Sequence, residues 1–215
     1  NVEKGNLGAT GIVGGNIPVA TGAALSMKLQ NEDRVVVCFF GDGASNTGNF
    51  HESLNMASAW KLPVVYVVEN NLYGMSVPFQ NISAQTDIAA RASAYDMPSA
   101  VVDGMDPIAV FEAASAAIEN ARKGNGPTLI EAKTYRWYGH SRSDPRKYRT
   151  KEEEQAWHDR DPLKTFAAKL EEAGIATSAE LEAVEEHAEE AVKKATEFAL
   201  ASPMPDPAEV DNDVY

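Results

Sequence analysis

With a single cysteine, Cys38, among its 215 residues, the chain has no means of forming an intrachain disulfide. A reducing compartment such as the bacterial cytoplasm is the simplest expectation, with the mitochondrial matrix or a plastid as the eukaryotic counterpart. Cys38 stands in an apolar run, Val35 to Phe40, and reads as a buried structural thiol. Long apolar runs are missing too. No stretch approaches the roughly 18 residues of a membrane span, and the N-terminus lacks the basic-then-apolar order of a signal peptide. A soluble chain with no membrane partner is expected. Positive charge is also scarce: the net charge is −13. Residues 1–150 carry 14 acids against 13 bases and residues 151–215 carry 18 against 6, so the acidity belongs to the C-terminal third. A nucleic-acid surface, whose footprint would be basic, is excluded as the general reading. No His/Cys cluster has metal-ligand spacing, and there is no internal repeat or low-complexity tract. The chain opens at Asn1 in a glycine-rich stretch that reads as the middle of a domain, so upstream sequence is expected.

What is present is 44% hydrophobic residues, enough for a sizeable core. Apolar runs bounded by glycine, proline or polar turns alternate with segments of helical period, the pattern of βαβ units and a mostly parallel sheet with helices on both faces. Strands are predicted at 34–40, 64–69, 100–103 and 128–135. The runs Val35–Phe40 and Val64–Val68 are apolar throughout, as central strands covered on both faces require. Helices are predicted at 18–30, 49–61, 86–95 and 107–123, the last with Asp106 as N-cap and Pro107 in its first turn. After Tyr135 the strand pattern stops. A loop over 136–150 holds five bases and one acid, Asp144, and helices follow at 151–159, 162–173 and 178–201. In the last of these Leu181, Val184, Ala188, Ala191, Ala195 and Phe198 make a narrow stripe suited to packing on another helix. The tail from Ser202 to Tyr215 should be extended. Three parts result: an α/β domain over 1–135, the basic loop over 136–150, and a C-terminal helical extension over 151–215.

The chemistry centres on Gly41-Asp42-Gly43, which follows a strand and precedes a helix, where open α/β sheets bind ligands. Glycines let backbone approach a phosphate, and free N–H groups at a helix start favour anions. A tight strand-to-helix turn with aspartate as cap would give the same triplet. The second element is Asn70-Asn71, which ends the next strand 29 positions after Asp42 when counted to Asn71. A carboxylate and an amide oxygen at adjacent strand tips are hard ligands suited to Mg²⁺, which completes its shell with substrate phosphates. The pair points to a Mg²⁺-diphosphate site. Gly5, Gly8, Gly11, Gly14 and Gly15 form neither a Walker A motif nor GxGxxG. His51, His158 and His187 read as surface or helix-packing residues, and Asn46 and Asn49 fit turn formation or capping as well as ligand contact.

Gly-Asp-Gly followed by Asn-Asn about thirty residues later resembles the fingerprint of thiamine-diphosphate enzymes. The flanks Gly41–Asn46, Asn55–Ala57, Glu69–Met75, Val102–Asp106 and Tyr135–Pro145 resemble alpha subunits of 2-oxoacid dehydrogenases of the pyruvate and acetoin group, and the likeness runs over nearly the whole chain. The resemblance implies the thiamine-diphosphate-binding fold and oxidative decarboxylation of pyruvate, or cleavage of acetoin, with acyl transfer to lipoamide. It makes Asp42, the Asn71 side chain and the Tyr73 carbonyl the Mg²⁺ ligands. Gly43 and Ala44 would contact the diphosphate through N–H groups, and Gly11 and Val13 the aminopyrimidine. His140 resembles a catalytic histidine near the diphosphate and the reacting carbon.

The same resemblance makes the basic loop a mobile active-site loop beside the channel used by a lipoyl carrier. Ser141 and Ser143 fall where mitochondrial relatives are phosphorylated, but Arg146-Lys147 replaces a second serine region there, which argues against that regulation. The glutamate that drives proton transfer in such enzymes comes from a beta subunit, and none is found here. An α₂β₂ assembly is therefore implied, with a lipoyl-bearing acyltransferase as further partner. Two rivals are a non-catalytic structural or regulatory subunit of the same fold and a transketolase-like enzyme. The Tyr135–Pro145 flank disfavours the second.

Overall fold

The computed structural model describes residues 2 to 212. Contacts divide the chain into two compact units, one ending at Pro162 and the other beginning at Leu163.

The first unit is built on a four-stranded parallel sheet. Its strands are β1 (Val36–Gly41), β2 (Val64–Asn70), β5 (Ser99–Asp103) and β6 (Thr128–Lys133), in the order β1-β2-β6-β5. Helices α1 (Asn16–Leu29) and α2 (Gly48–Ala59) lie on one face. There Ile17, Phe50 and Leu54 pack on Phe40, Tyr66, Val68 and Leu129. Helix α3 (Pro107–Arg122) lies on the other face, with Ala117 against Val65, Val67 and Ile130. The expected α/β architecture is present, for the expected reason: β2 and β6 have inward-facing apolar residues on both sides. Helix α3 starts where its cap requires, the Asp106 side chain accepting from the Ile108 N–H at 3.0 Å.

The run Val35–Phe40 departs from expectation. Its continuous apolar character predicted a central strand, yet β1 is an edge strand whose alternate residues Val37 and Phe39 are 39% and 58% exposed. Cys38 and Phe40 are buried in the core, with the half-buried Val36 packed beside them. A run of apolar residues cannot tell a covered face from one that awaits a neighbour. The 86–95 segment forms a 3₁₀ helix over Ile88–Tyr95 rather than an α-helix. A short antiparallel hairpin, β3 (Tyr73–Gly74) with β4 (Val77–Pro78), was not anticipated. Leu72 just before it and Met75 in its turn are both at positive φ without being glycine, so neither residue type announces its own conformation.

Helix α4 (Lys151–His158), grouped by the sequence with the C-terminal extension, belongs to the first unit, because Trp157 stacks on Tyr135 with ring centroids 5.3 Å apart. The second unit holds α5 (Pro162–Glu172) from Leu163 onwards and α6 (Ser178–Ala201). Thr177 and Glu180 form a capping box at the start of α6, and Val184 and Phe198 of its stripe are exposed. The tail is not wholly extended. Asp206 caps a 3₁₀ turn over Pro207–Glu209, and residues 213–215 lie outside the described residues.

Candidate functional site

Strands β1 and β2 run parallel with Gly41 in register with Glu69, so Asp42 and Asn70 leave the sheet at the same level. This is the neighbouring-tip arrangement that the spacing predicted. Asp42 opens a 3₁₀ helix over Asp42–Asn46. It is 2% exposed, and its Oδ2 has no hydrogen-bond partner. A buried carboxylate oxygen without a partner is costly unless a cation or donor belongs there. Burial raises its pKa, opposed by the backbone N–H groups of Asp42 and Gly43 and by the Arg136 guanidinium.

The β2 tip bends through two side-chain-stabilised turns. Asn70 Oδ1 accepts from the Leu72 N–H at 3.2 Å, and Asn71 Oδ1 accepts from the Tyr73 N–H at 3.4 Å. The Tyr73 carbonyl accepts from Arg136 Nη1 at 3.4 Å. The positive charge set beside these oxygens is thus an arginine. Hairpin strand β3 packs on the Asp42–Asn46 segment, and a methyl group placed on Gly43 would lie 3.8 Å from Gly74 Cα. Two glycine backbones face each other there with room between them. Among the described residues, no group of three or more His, Cys, Asp or Glu side chains could hold a metal. A cation here would have one carboxylate, one amide oxygen and one backbone carbonyl, a donor set that fits Mg²⁺.

Residues that the sequence did not single out hold this corner. Glu131 of β6 is fully buried; its Oε1 accepts from Asn70 Nδ2 at 2.6 Å and its Oε2 from the Ala89 N–H at 2.8 Å. Lys133 Nζ lies 2.8 Å from Glu131 and 2.9 Å from Asp87. Arg91 donates to the Ser45 carbonyl at 2.7 Å and to Ser83 Oγ at 2.6 Å. A charged residue inside an apolar central strand was the available signal for Glu131.

Gly11 and Val13 precede α1 and are exposed, Val13 to 66%. Gly14, at φ 76°, abuts Thr47, the N-cap of α2: an added Cβ would sit 2.8 Å from Thr47 Oγ1. This glycine-rich segment therefore runs close to the end of the Asp42–Asn46 segment. His140 is exposed, and its N–H donates to Asp144 Oδ2 at 2.8 Å. Among the described residues, none of Gly11, Val13 and His140 is hydrogen-bonded to Asp42 or Asn71. Ser141 and Ser143 are exposed, with their hydroxyls 3.2 Å apart.

The loop over 136–150 is tied down by side chains. The Arg149 guanidinium stands 4.9, 4.8 and 5.3 Å from the ring centres of Tyr73, Tyr135 and Tyr148. Its Nη1 donates to the Arg136 carbonyl at 2.6 Å. Asp144 accepts from Tyr148, Arg146 and His140, which holds its carboxyl down to about 2. Tyr73 and Tyr135 both donate to Glu153 of α4. His158 stacks on Trp137, and His51 meets Tyr95 across α2, so both histidines pack rather than line the strand tips.

These features define the class as an α/β protein whose adjacent parallel strand tips carry a buried carboxylate with one unpartnered oxygen, an asparagine pair and glycine backbone. The chain belongs to the dehydrogenase E1 component family, whose sequence model matches residues 2–208. It is 47% identical over its full length to the alpha subunit of acetoin:2,6-dichlorophenolindophenol oxidoreductase from Bacillus subtilis, covering 64% of that protein. It is 43% identical over 99% of its length to the alpha subunit of the pyruvate dehydrogenase E1 component from Rhizobium meliloti, covering 61% of it. Against a chloroplastic alpha-3 subunit of the same component from Oryza sativa the identity is 41% over 97% of the chain and 51% of the relative. The chain thus spans between half and two thirds of these relatives. Among solved structures, a transketolase from Pichia stipitis, 24% identical, overlaps 58% of this chain and 20% of its own with a TM-score of 0.48.

Proposed function

We propose that this chain is the thiamine-diphosphate and Mg²⁺ binding part of the alpha subunit of a 2-oxoacid dehydrogenase that decarboxylates pyruvate, or cleaves acetoin, and passes the acyl group to lipoamide. The observation that carries the reading is the buried Asp42 carboxylate, whose Oδ2 has no partner, at the tip of the strand next to the one that ends in Asn70-Asn71. Family membership supports it, as do relatives named for pyruvate and acetoin.

Asp42, the Asn71 side chain and the Tyr73 carbonyl would hold Mg²⁺. Gly43 and Ala44 would donate N–H groups to the diphosphate, as the start of a helical turn favours, and Gly11 and Val13 would hold the aminopyrimidine through backbone. Bound thiamine diphosphate supplies a carbon nucleophile for the 2-oxo group and a sink for the electrons released with carbon dioxide. His140 serves as the catalytic residue for proton movement near the reacting carbon, and the loop over 136–150 excludes water around it. A beta subunit completes the site in an α₂β₂ assembly, and a lipoyl-bearing acyltransferase takes the product. The compartment is the cytoplasm in a bacterium, or the matrix or plastid in a eukaryote.

The test is turnover of pyruvate, acetoin and branched 2-oxoacids by the full-length chain co-expressed with its beta subunit, beside the chain alone. Activity only in the assembly, for pyruvate or acetoin, is expected, and robust decarboxylation by the chain alone would overturn the divided site. In calorimetry Asp42→Asn should abolish Mg²⁺-dependent cofactor binding. Unchanged affinity would remove Asp42 from the metal site.

A further inference from the structure

We infer that Glu131 is a positioning residue that sets the two halves of the cation and diphosphate site against each other, an inference that rests on the metal reading of Asp42, Asn71 and Tyr73 above. Glu131 is fully buried and is hydrogen-bonded to none of the proposed ligands among the described residues, yet both of its oxygens are committed. Oε1 takes Asn70 Nδ2 at 2.6 Å, which leaves Asn70 Oδ1 free to accept the Leu72 N–H at 3.2 Å. That bond closes a turn in which Leu72 is held at φ 73°, a conformation that costs a branched L-residue about 1–2 kcal/mol and persists only where its surroundings impose it. The turn aims the Asn71 side chain and the Tyr73 carbonyl. Oε2 takes the Ala89 N–H at 2.8 Å and so fixes the start of the Ile88–Tyr95 helix. Arg91 of that helix then clamps the Ser45 carbonyl at 2.7 Å, inside the segment that bears Asp42, Gly43 and Ala44. One carboxylate therefore braces both ligand-bearing segments from beneath. Lys133, shared with Asp87, supplies the compensating charge.

The direction of each bond matters. Glu131→Gln keeps the volume but can offer only one acceptor oxygen. If that oxygen serves Ala89, the new amide faces the Asn70 amide donor for donor. Asn70 must then rotate, and its NH₂ group would meet the Leu72 N–H. The reciprocal exchange restores the contact with position 70, while Lys133, which shares Oε1 at 2.8 Å, keeps Asp87 as its partner at 2.9 Å. With Asn70→Asp added, the amide donates to a carboxylate, whose remaining oxygen still accepts from Leu72.

The experiment uses the full-length chain purified with its beta subunit, with Mg²⁺ titrated calorimetrically in the presence of thiamine diphosphate. Glu131→Gln should weaken Mg²⁺ binding about 10- to 100-fold, the range for lost outer partners of metal ligands. Turnover should recover at saturating Mg²⁺, with KM for the 2-oxoacid unchanged. The double variant Asn70→Asp/Glu131→Gln should return the affinity to within about threefold of the parent, by the same partner logic. Unchanged Mg²⁺ affinity in the single variant, or a double variant no tighter than the single, would overturn the inference. Should the single variant fail to fold, the double variant decides alone: near-parental affinity supports the inference, and weak binding or failure to fold overturns it. Asp42→Asn is run in parallel. If it binds Mg²⁺ normally, the metal reading itself fails, a result separate from any outcome at Glu131.

Discussion

Asp42 and Asn70 leave neighbouring strands at matched register, and the positions they occupy are set by a backbone ladder and a buried carboxylate beneath it. The loop over 136–150 carries His140 and has no such scaffold. It is held by side chains: Arg149 among three tyrosine rings, Arg136 on the Tyr73 and Met75 carbonyls, Arg146 on Glu154, and Asp144, which gathers two N–H groups and a hydroxyl. Regions fixed by sheet open only with the whole fold, whereas regions fixed by side chains open locally. The proposed metal ligands thus sit on the rigid part of the molecule, and the proposed catalytic histidine on the part that a few contacts can release.

Arg149→Ala would break this contrast most severely. It removes the cation from its aromatic surround and the 2.6 Å bond to the Arg136 carbonyl, a loss of about 3 kcal/mol in loop order. Tryptic cleavage at Arg142 or Lys147 should accelerate about 100-fold while the main thermal transition barely moves. A drop in that transition with no faster cleavage would mean that the loop and sheet open together. Gly139→Ala is next, because its Cβ would lie 2.7 Å from Asp144 Cβ and 2.9 Å from the Asp144 carbonyl. The turn must shift at a cost of about 1–3 kcal/mol, again read as faster loop cleavage.

Gly43→Ala is the matching change at the strand tips and has room for its methyl. Stability should stay within about 1 kcal/mol of the parent, while thiamine diphosphate binds less tightly because the methyl enters the cradle. Equal affinity would show that the diphosphate does not approach Gly43. The smallest effect concerns Cys38. Burial pushes its thiol up to about 12 from 9.0, so the folded chain holds this proton more tightly than the unfolded one. The associated stability is intact below pH 9 and is lost as the pH climbs towards 12. A native chain at pH 8 should not react with a thiol reagent that labels it at once in denaturant.

The parallel sheet, most helix positions and the adjacency of the two strand tips were legible because each rests on a local rule: periodicity, a cap, or an apolar run closed by a polar turn. The capping box at Thr177 and the Asp106 cap fall in the same group. Glu131 was not read as part of the site, since its partners lie 61 and 42 positions away at Asn70 and Ala89. The hairpin at Tyr73 escaped for a different reason. Leu72 and Met75 adopt positive φ under tertiary constraint, with no residue type to announce it.

Val37 and Phe39 show how far sequence goes. Their apolar character dictated a strand, but whether a face is covered depends on what stands beside it, and β1 stands at the edge. By itself the sequence determined the alternation of strands and helices and the residue types that stand at the strand ends, because both belong to short stretches of chain. Only the tertiary structure decided that Asp42 keeps an unpartnered oxygen and that Glu131 braces the turn opposite it. Burial and long-range hydrogen bonds belong to the folded arrangement and to no local stretch of chain.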